Sequence, residues 1–170
     1  MARGKGIEQT LLWLFVILAG LAVGAGLYEM RVVVPLWAHS PPESVWYWEA
    51  QRAAHPEYVP NSGLRLWIFL TPTHLLLSLA TLIACLKTRP EHRKWVLIST
   101  VIFILAHLSA FIWFVPVLNT LAHTRQLGLS PEEVATKAHL WATLSWLRVP
   151  IGLVGFICGL KALTIPPSRE

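Results

Sequence analysis

The sequence predicts an all-α integral membrane protein, a four-helix bundle with an interfacial amphipathic helix between spans one and two. Of its 170 residues, 55% are hydrophobic and only 14% are charged, and the mean hydropathy is +0.55. The apolar residues lie in long blocks, and roughly 20 of them in a row cross the hydrocarbon of a bilayer. We therefore predict a single domain, residues 1–170, with spans at about 11–34, 64–86, 95–117 and 138–163.

The first apolar block is too long for the core of a cleaved signal sequence, so we expect it to stay in the protein as span one. Pro35 is expected to end this span. Gly20 and Gly24 stand one helical turn apart, which lets another helix approach closely. Glu29 lies about a turn and a half before the end of the span, where a carboxylate must be paired, protonated or in contact with water.

The connection to span two contains a helix start of its own. Ser40 is the expected cap, and Glu43 stands at the third helical position, where it would close a capping box. We expect the helix to end at His55, because Pro56 follows. The aromatic run Trp46–Trp48 is typical of the headgroup region, which predicts that this helix lies on the membrane as a lid.

Spans two and three form a hairpin around a short basic turn, and each span carries one histidine. His74 lies ten residues in from Leu64, and His107 lies ten residues back from Val117. At the rise of an α-helix, both imidazoles sit about 15 Å below the same membrane face. Polar side chains at that depth need partners, so we expect the two histidines to belong to one site.

Span four repeats the helix-start pattern. Ser130 and Glu133 form a second capping box, which predicts a helix that begins near Pro131. Arg148 lies ten residues past Ala138, again about 15 Å deep. Small or aromatic residues share the helix face of Arg148: Trp141, Ser145, Gly152, Gly155 and Gly159. The glycines predict close packing below the arginine.

The charge pattern predicts topology and partners. Lysine and arginine are densest in the turn at 87–94, so the positive-inside rule places both termini in the cytoplasm. We expect a bacterial inner membrane, with membrane lipid and a lipophilic small-molecule substrate as partners. The net charge of +5 does not indicate nucleic acid, since the basic residues flank the spans. A homo-oligomer, including a trimer, is compatible with the face of Gly20 and Gly24.

Four ionisable residues are thus predicted to share one layer, each from a different span: Glu29, His74, His107 and Arg148. Three arrangements are open. In the first, the histidines ligate a metal or a haem iron from facing helices. In the second, Glu29 and Arg148 form a structural ion pair, while the histidines bond hydroxyl or backbone groups. In the third, the four groups line a pocket in which Arg148 stabilises charge, and Glu29 or a histidine is acid or base.

Two motifs near the end of the chain resemble a known family. The segment FVPVLNTL at 114–121, followed by WATLSWLR at 141–148, is similar to the anthrone-oxygenase-like family of small four-span membrane proteins. This resemblance implies oxidation or binding of a polycyclic or otherwise apolar small molecule. It implies Asn119 and Arg148 as polar contacts.

A further segment resembles the styrene oxide isomerase family, four-span membrane enzymes with haem b and a trimeric assembly. The matching residues are Ser40-Pro-Pro-Glu43, Arg52-Ala-Ala-His55 and Asn61-Ser-Gly63. The resemblance implies that His55 is the axial haem ligand and that Asn61 orients the substrate. The run before His55 is longer than in that family, and the family's tyrosine in span three has no counterpart here.

The leading functional prediction is a membrane-embedded enzyme that binds haem b and oxygenates or isomerises a small lipophilic substrate. The predicted haem or metal ligands are His55, His74 and His107. The predicted catalytic residues are Glu29, Asn61 and Arg148. Two alternatives stay open: a pocket without a cofactor that uses Glu29, His107 and Arg148, and a non-enzymatic membrane binding or assembly subunit.

Overall fold

A computed structural model describes the backbone of residues 2–57 and 64–166, and the side chains of these residues apart from 2–5 and 64. The all-α prediction is confirmed, since the described residues contain helices and no strand. The helices are α1 (Ala2–Tyr28), α2 (Pro35–Ala38), α3 (Glu43–Ala54), α4 (Leu64–Cys85), α5 (Pro90–Ser109), α6 (Val115–Leu121) and α7 (Pro131–Leu163). Two π-helical turns, Glu29–Val33 and Ala110–Phe114, join α1 to α2 and α5 to α6.

Four continuous helical stretches are each long and apolar enough to cross a membrane. They are Gly6–Ala38, Arg65–Cys85, Pro90–Leu121 and Pro131–Leu163. This agrees with the four predicted spans and makes the chain a membrane protein. The first, third and fourth stretches extend beyond the predicted boundaries.

The prediction that Pro35 ends span one is wrong, because the helical path continues through it to Ala38. A proline lacks an N–H, and its ring clashes with the carbonyl four residues earlier in an α-helix. Here the preceding turn widens instead: the Val34 N–H donates to the Glu29 carbonyl, five residues back, at 2.8 Å. The turn before Pro116 widens in the same way. Both prolines are therefore accommodated by a π-helical turn.

The two predicted capping boxes have different outcomes. At Ser130 the box is confirmed, since its amide donates to the Glu133 carboxylate at 2.9 Å and its hydroxyl accepts from the Glu133 amide at 3.3 Å. At Ser40 the box is wrong. The Ser40 amide donates to the Ser44 hydroxyl at 3.2 Å, and α3 begins at Glu43 with no side-chain cap. The Ser44 hydroxyl takes the place that Glu43 was expected to fill.

Internal contacts divide the chain into two compact units, and each long helical stretch contributes a segment to both. The first unit is Met1–Gly24, Phe69–His107 and Pro150–Glu170, and the second is Ala25–Ile68 and Leu108–Val149. Each unit has a buried apolar core of its own. The core of the first unit is built from Leu12, Phe15, Val16, Ala19, Cys85, Val96, Phe103 and Ala162. That of the second contains Met30, Val34, Trp37, Val45, Phe114, Leu121, Val134, Ala138 and Trp141.

Close helix packing in the first unit depends on two of the predicted glycines. A Cβ atom added at Gly155 would lie 2.9 Å from the Ile102 side chain, and one at Gly159 would lie 2.9 Å from the Val16 side chain. The Ser99 hydroxyl donates to the Gly155 carbonyl at 2.6 Å, an approach that the missing side chain permits. The predicted role of these glycines in packing is confirmed.

The second unit holds α3 in place through a buried carboxylate that sequence patterns did not reveal. Glu49 is only 9% exposed. It accepts a hydrogen bond from the Thr124 hydroxyl at 2.5 Å and one from the Arg125 amide at 3.1 Å. Hydrogen bonds to a charged group are among the stronger ones in proteins. The loop after α6 is therefore fastened to α3 at this point.

Candidate functional site

His74 and His107 are in contact inside the first unit, in agreement with the prediction that they belong to one site. The side chain of His74 is completely buried, and that of His107 is 4% exposed. His107 Nε2 lies 3.1 Å from His74 Nδ1, within hydrogen-bonding distance. The rings of Phe15 and Phe103 flank His74 at centroid distances of 5.1 and 4.7 Å. The pair is thus enclosed by aromatic carbon, and each imidazole provides the other with a polar partner.

This arrangement does not fit two axial ligands of a single haem iron. Axial ligands lie on opposite faces of the porphyrin, whereas these two nitrogens are in direct hydrogen-bond contact. Within the part of the chain that the structure describes, no group of three or more His, Cys, Asp and Glu side chains is placed to hold a metal ion. The pair is more consistent with two neutral imidazoles, one donating and one accepting.

Glu29 and Arg148 both belong to the second unit and attract each other electrostatically. Glu29 opens the π-helical turn before Pro35, and Arg148 lies on α7; both are partly buried. The Glu29 carboxylate accepts a hydrogen bond from the Trp67 indole on α4 and interacts electrostatically with Arg148. Three helices therefore bring an acid, a cation and an indole donor together within apolar segments.

Phe114 contacts both Arg148 and Trp141. The Arg148 guanidinium carbon lies 4.2 Å from the centre of the Phe114 ring, a cation–π contact. The indole N–H of Trp141 donates to the Phe114 carbonyl at 3.0 Å. Phe114 is the last residue of the second π-helical turn. Both π-helical turns thus contribute a residue to the surroundings of Arg148, and such turns are frequent at functional sites.

Ser145 lies between Trp141 and Arg148 on the same face of α7. Its side chain is only 6% exposed, and its hydroxyl has no hydrogen-bond partner among the described residues. The sequence placed Ser145 on this face, but no sequence signal indicated that its hydroxyl would be buried without a partner.

The remaining predicted site residues lie elsewhere in the second unit. His55 closes α3, as predicted, and is exposed, with its Nδ1 3.2 Å from a Glu57 carboxylate oxygen. The side chain of Asn119 is exposed near the end of α6. Asn61 lies outside the described residues.

The predicted layer of four ionisable residues is thus observed as two pairs, one within each unit. The sequence analysis paired the histidines correctly but did not identify Trp67, whose indole donates a hydrogen bond to Glu29. A clue was available: Trp67 lies near the start of its span, and Glu29 lies near the end of its own. Adjacent antiparallel spans place such positions at a similar depth.

Known proteins do not provide an assignment. No protein family, no curated protein and no solved structure matches the chain. The two resemblances noted in the sequence therefore stay predictions, and the function must be inferred from the residues themselves.

Proposed function

We propose that the protein is a membrane-embedded isomerase that moves a proton within a lipophilic carbonyl compound. Glu29 is the acid and base, and Arg148 stabilises the negative charge that forms on the substrate oxygen. The observation that carries this proposal is the convergence of Glu29, Trp67 and Arg148 from three helices of the second unit. The substrate enters from the bilayer, which dissolves lipophilic compounds.

The free-energy cost of placing Glu29 and Arg148 within membrane spans supports a functional role for them. Acidic and basic side chains within membrane spans are rare and usually mark a pathway or a reaction site. A buried ion pair contributes little net stability compared with apolar residues of similar size. Packing alone therefore does not account for Glu29 and Arg148, whereas catalysis uses both charges.

The chemistry follows from the charges. Glu29 removes a proton from a carbon next to the substrate carbonyl, and the electron pair of the broken C–H bond moves onto the carbonyl oxygen. The negative charge passes from Glu29 to that oxygen, so Arg148 is neutralised before and after the step. In a substrate with a C=C bond between its β and γ carbons, Glu29 then returns the proton to the γ carbon, and the double bond moves to the α and β carbons. The sum is an isomerisation in which atoms and electrons balance.

Hydrogen exchange tests this proposal directly. The purified protein in lipid nanodiscs is incubated in deuterated water with a panel of long-chain and aromatic ketones, and deuterium at the carbons next to the carbonyl is measured by mass spectrometry. Wild-type protein should catalyse exchange into at least one ketone. Glu29→Gln should abolish it, because an amide cannot take the proton.

The matched control is Glu43→Gln, which changes an exposed carboxylate of α3 in the same unit. This variant should exchange at the wild-type rate. Exchange that persists in Glu29→Gln would assign the base to another residue, and a wild-type protein inactive on the whole panel would contradict the isomerase.

As a second candidate function, we propose that the second unit binds haem b through His55. The contact of His55 Nδ1 with Glu57 supports this candidate, since ligating histidines usually pair their other nitrogen with a carboxylate or a carbonyl. A bound haem would supply a Lewis acid or a redox centre. Protein purified from haem-replete cells should show a Soret band that His55→Ala removes and the exposed-site control His39→Ala retains. A colourless protein without iron would contradict this candidate.

We also propose a bacterial inner membrane with both termini in the cytoplasm, on the evidence of the basic turn at 87–94. Single cysteines introduced in that turn and in α3 should react from opposite sides of the membrane with an impermeant maleimide.

A homo-oligomer, including a trimer, is proposed on the resemblance to the trimeric isomerase family. Mass photometry of the protein in nanodiscs measures the number of subunits.

A further inference from the structure

Among the described residues, Ser145 carries the one fully buried side-chain hydroxyl that has no hydrogen-bond partner. A serine or threonine inside a helix usually donates to the carbonyl one turn earlier. Ser78 does so to His74 at 2.6 Å, and Thr100 does so to Val96 at 2.8 Å. The buried Ser145 hydroxyl makes no such bond and has no other partner among the described residues. A buried polar group normally finds a partner, so this one is available to a ligand.

The neighbours of Ser145 on α7 show which way it faces. Trp141 precedes it by four residues and Arg148 follows it by three, so all three lie on one helix face. Both neighbours contact Phe114, Trp141 through its indole N–H and Arg148 through its guanidinium. Ser145 therefore faces the same side of the unit as the guanidinium that Glu29 attracts.

We propose that the Ser145 hydroxyl and the Arg148 guanidinium bind the same substrate oxygen, which becomes anionic during the reaction. The inference rests on the proposed function and extends it. It makes Ser145 a second donor of an oxyanion site, and it defines the ligand as an apolar body that ends in one oxygen able to carry negative charge. A stable ligand of that class is a long-chain carboxylate.

Glu29 and such a ligand compete for the same cation, which gives a sharp expectation. Decanoate should bind to the protein in nanodiscs, and decanol, which has the same chain without the charge, should bind much more weakly. Ser145→Ala should weaken decanoate binding about tenfold, the usual effect of losing one hydrogen bond to a charged group. Glu29→Gln should instead bind decanoate more tightly than the wild type, since the competing carboxylate is gone.

The titration is followed by tryptophan fluorescence, because Trp141 and Trp67 adjoin the site. Thr143→Ala is the matched control: it removes an exposed hydroxyl from the same helix, and its decanoate affinity should equal that of the wild type. Ser145→Cys, which keeps the shape but is a poor donor, should fall between the wild type and Ser145→Ala. The melting temperature of ligand-free Ser145→Ala should be equal to or higher than that of the wild type, because the lost hydroxyl had no partner.

Each outcome decides the proposal. Unchanged decanoate affinity in Ser145→Ala, equal binding of decanol and decanoate to the wild type, or a lower melting temperature for ligand-free Ser145→Ala would overturn it. Should the decanoate results hold while no ketone exchanges deuterium, the oxyanion site stands and the isomerase proposal fails. Should exchange depend on Glu29 while Ser145→Ala binds decanoate normally, the isomerase stands and the role of Ser145 fails.

Discussion

The two pairs of ionisable residues are stabilised within apolar segments in different ways. In the first unit, His74 and His107 are enclosed by Phe15 and Phe103 and bond to each other. In the second unit, Glu29 and Arg148 are only partly buried. The Trp67 indole donates to Glu29, and the buried Ser145 hydroxyl lies on the same face of α7 as Arg148.

The difference between the two pairs lies in charge. The hydrogen bond between two neutral imidazoles satisfies one nitrogen of each without bringing a net charge into the membrane. A carboxylate and a guanidinium bring full charges into the second unit. A fixed positive charge in an apolar segment is suited to stabilising charge that forms on a substrate oxygen. The same comparison therefore predicts catalysis in the second unit and a structural role for the pair in the first.

Removing the cation should have the largest effect on catalysis. Arg148→Leu should lower the exchange rate about 100- to 1,000-fold, the usual cost of removing one oxyanion donor. It should also destabilise the protein, because Glu29 loses its partner within an apolar segment. The measurements are deuterium incorporation and unfolding by denaturing detergent.

The double variant Glu29→Gln/Arg148→Leu separates these two effects. It removes both charges, so its stability should recover relative to Arg148→Leu, while exchange stays absent. If Arg148→Leu exchanges at the wild-type rate, Glu29 and Arg148 form a structural pair, and the contrast between the units disappears.

Removing a histidine should have the largest effect on stability. His74→Ala creates a cavity in the first unit and leaves a His107 nitrogen without its partner, so it should cost about 3 kcal/mol of unfolding free energy. The exchange rate per folded molecule should not change. The control His39→Ala, at an exposed position, should change stability by less than about 0.5 kcal/mol. Loss of exchange in a folded His74→Ala protein would assign catalysis to the first unit as well.

Long-range regularities of the chain could be predicted from the sequence. The four spans follow from apolar length, and the contact of the two histidines follows from their equal distance to one membrane face. The cap at Ser130 and the end of α3 at His55 follow from local patterns. In each case the deciding interaction is either periodic or made by residues a few positions apart.

The features that could not be predicted depend on competition between neighbours. Ser40 and Ser130 begin similar motifs, but a hydroxyl at Ser44 takes the Ser40 amide. Pro35 was expected to stop a helix, but one widened turn relieves its clash at a small cost. The hydrogen bond from Trp67 to Glu29 joins two helices, so it depends on their rotation, which sequence periodicity does not fix.

That hydrogen bond provides the smallest and most selective test of the comparison. Trp67→Phe keeps an aromatic ring and removes the indole N–H that holds the Glu29 carboxylate. The exchange rate should fall about tenfold, since one hydrogen bond to a charged group no longer orients the base. Trp95→Phe, a change of the same kind at a partly buried position in the first unit, should leave the rate unchanged. Equal losses in the two variants would mean that tryptophans act here through general packing, whereas a loss in Trp67→Phe alone would place the reaction beside Glu29.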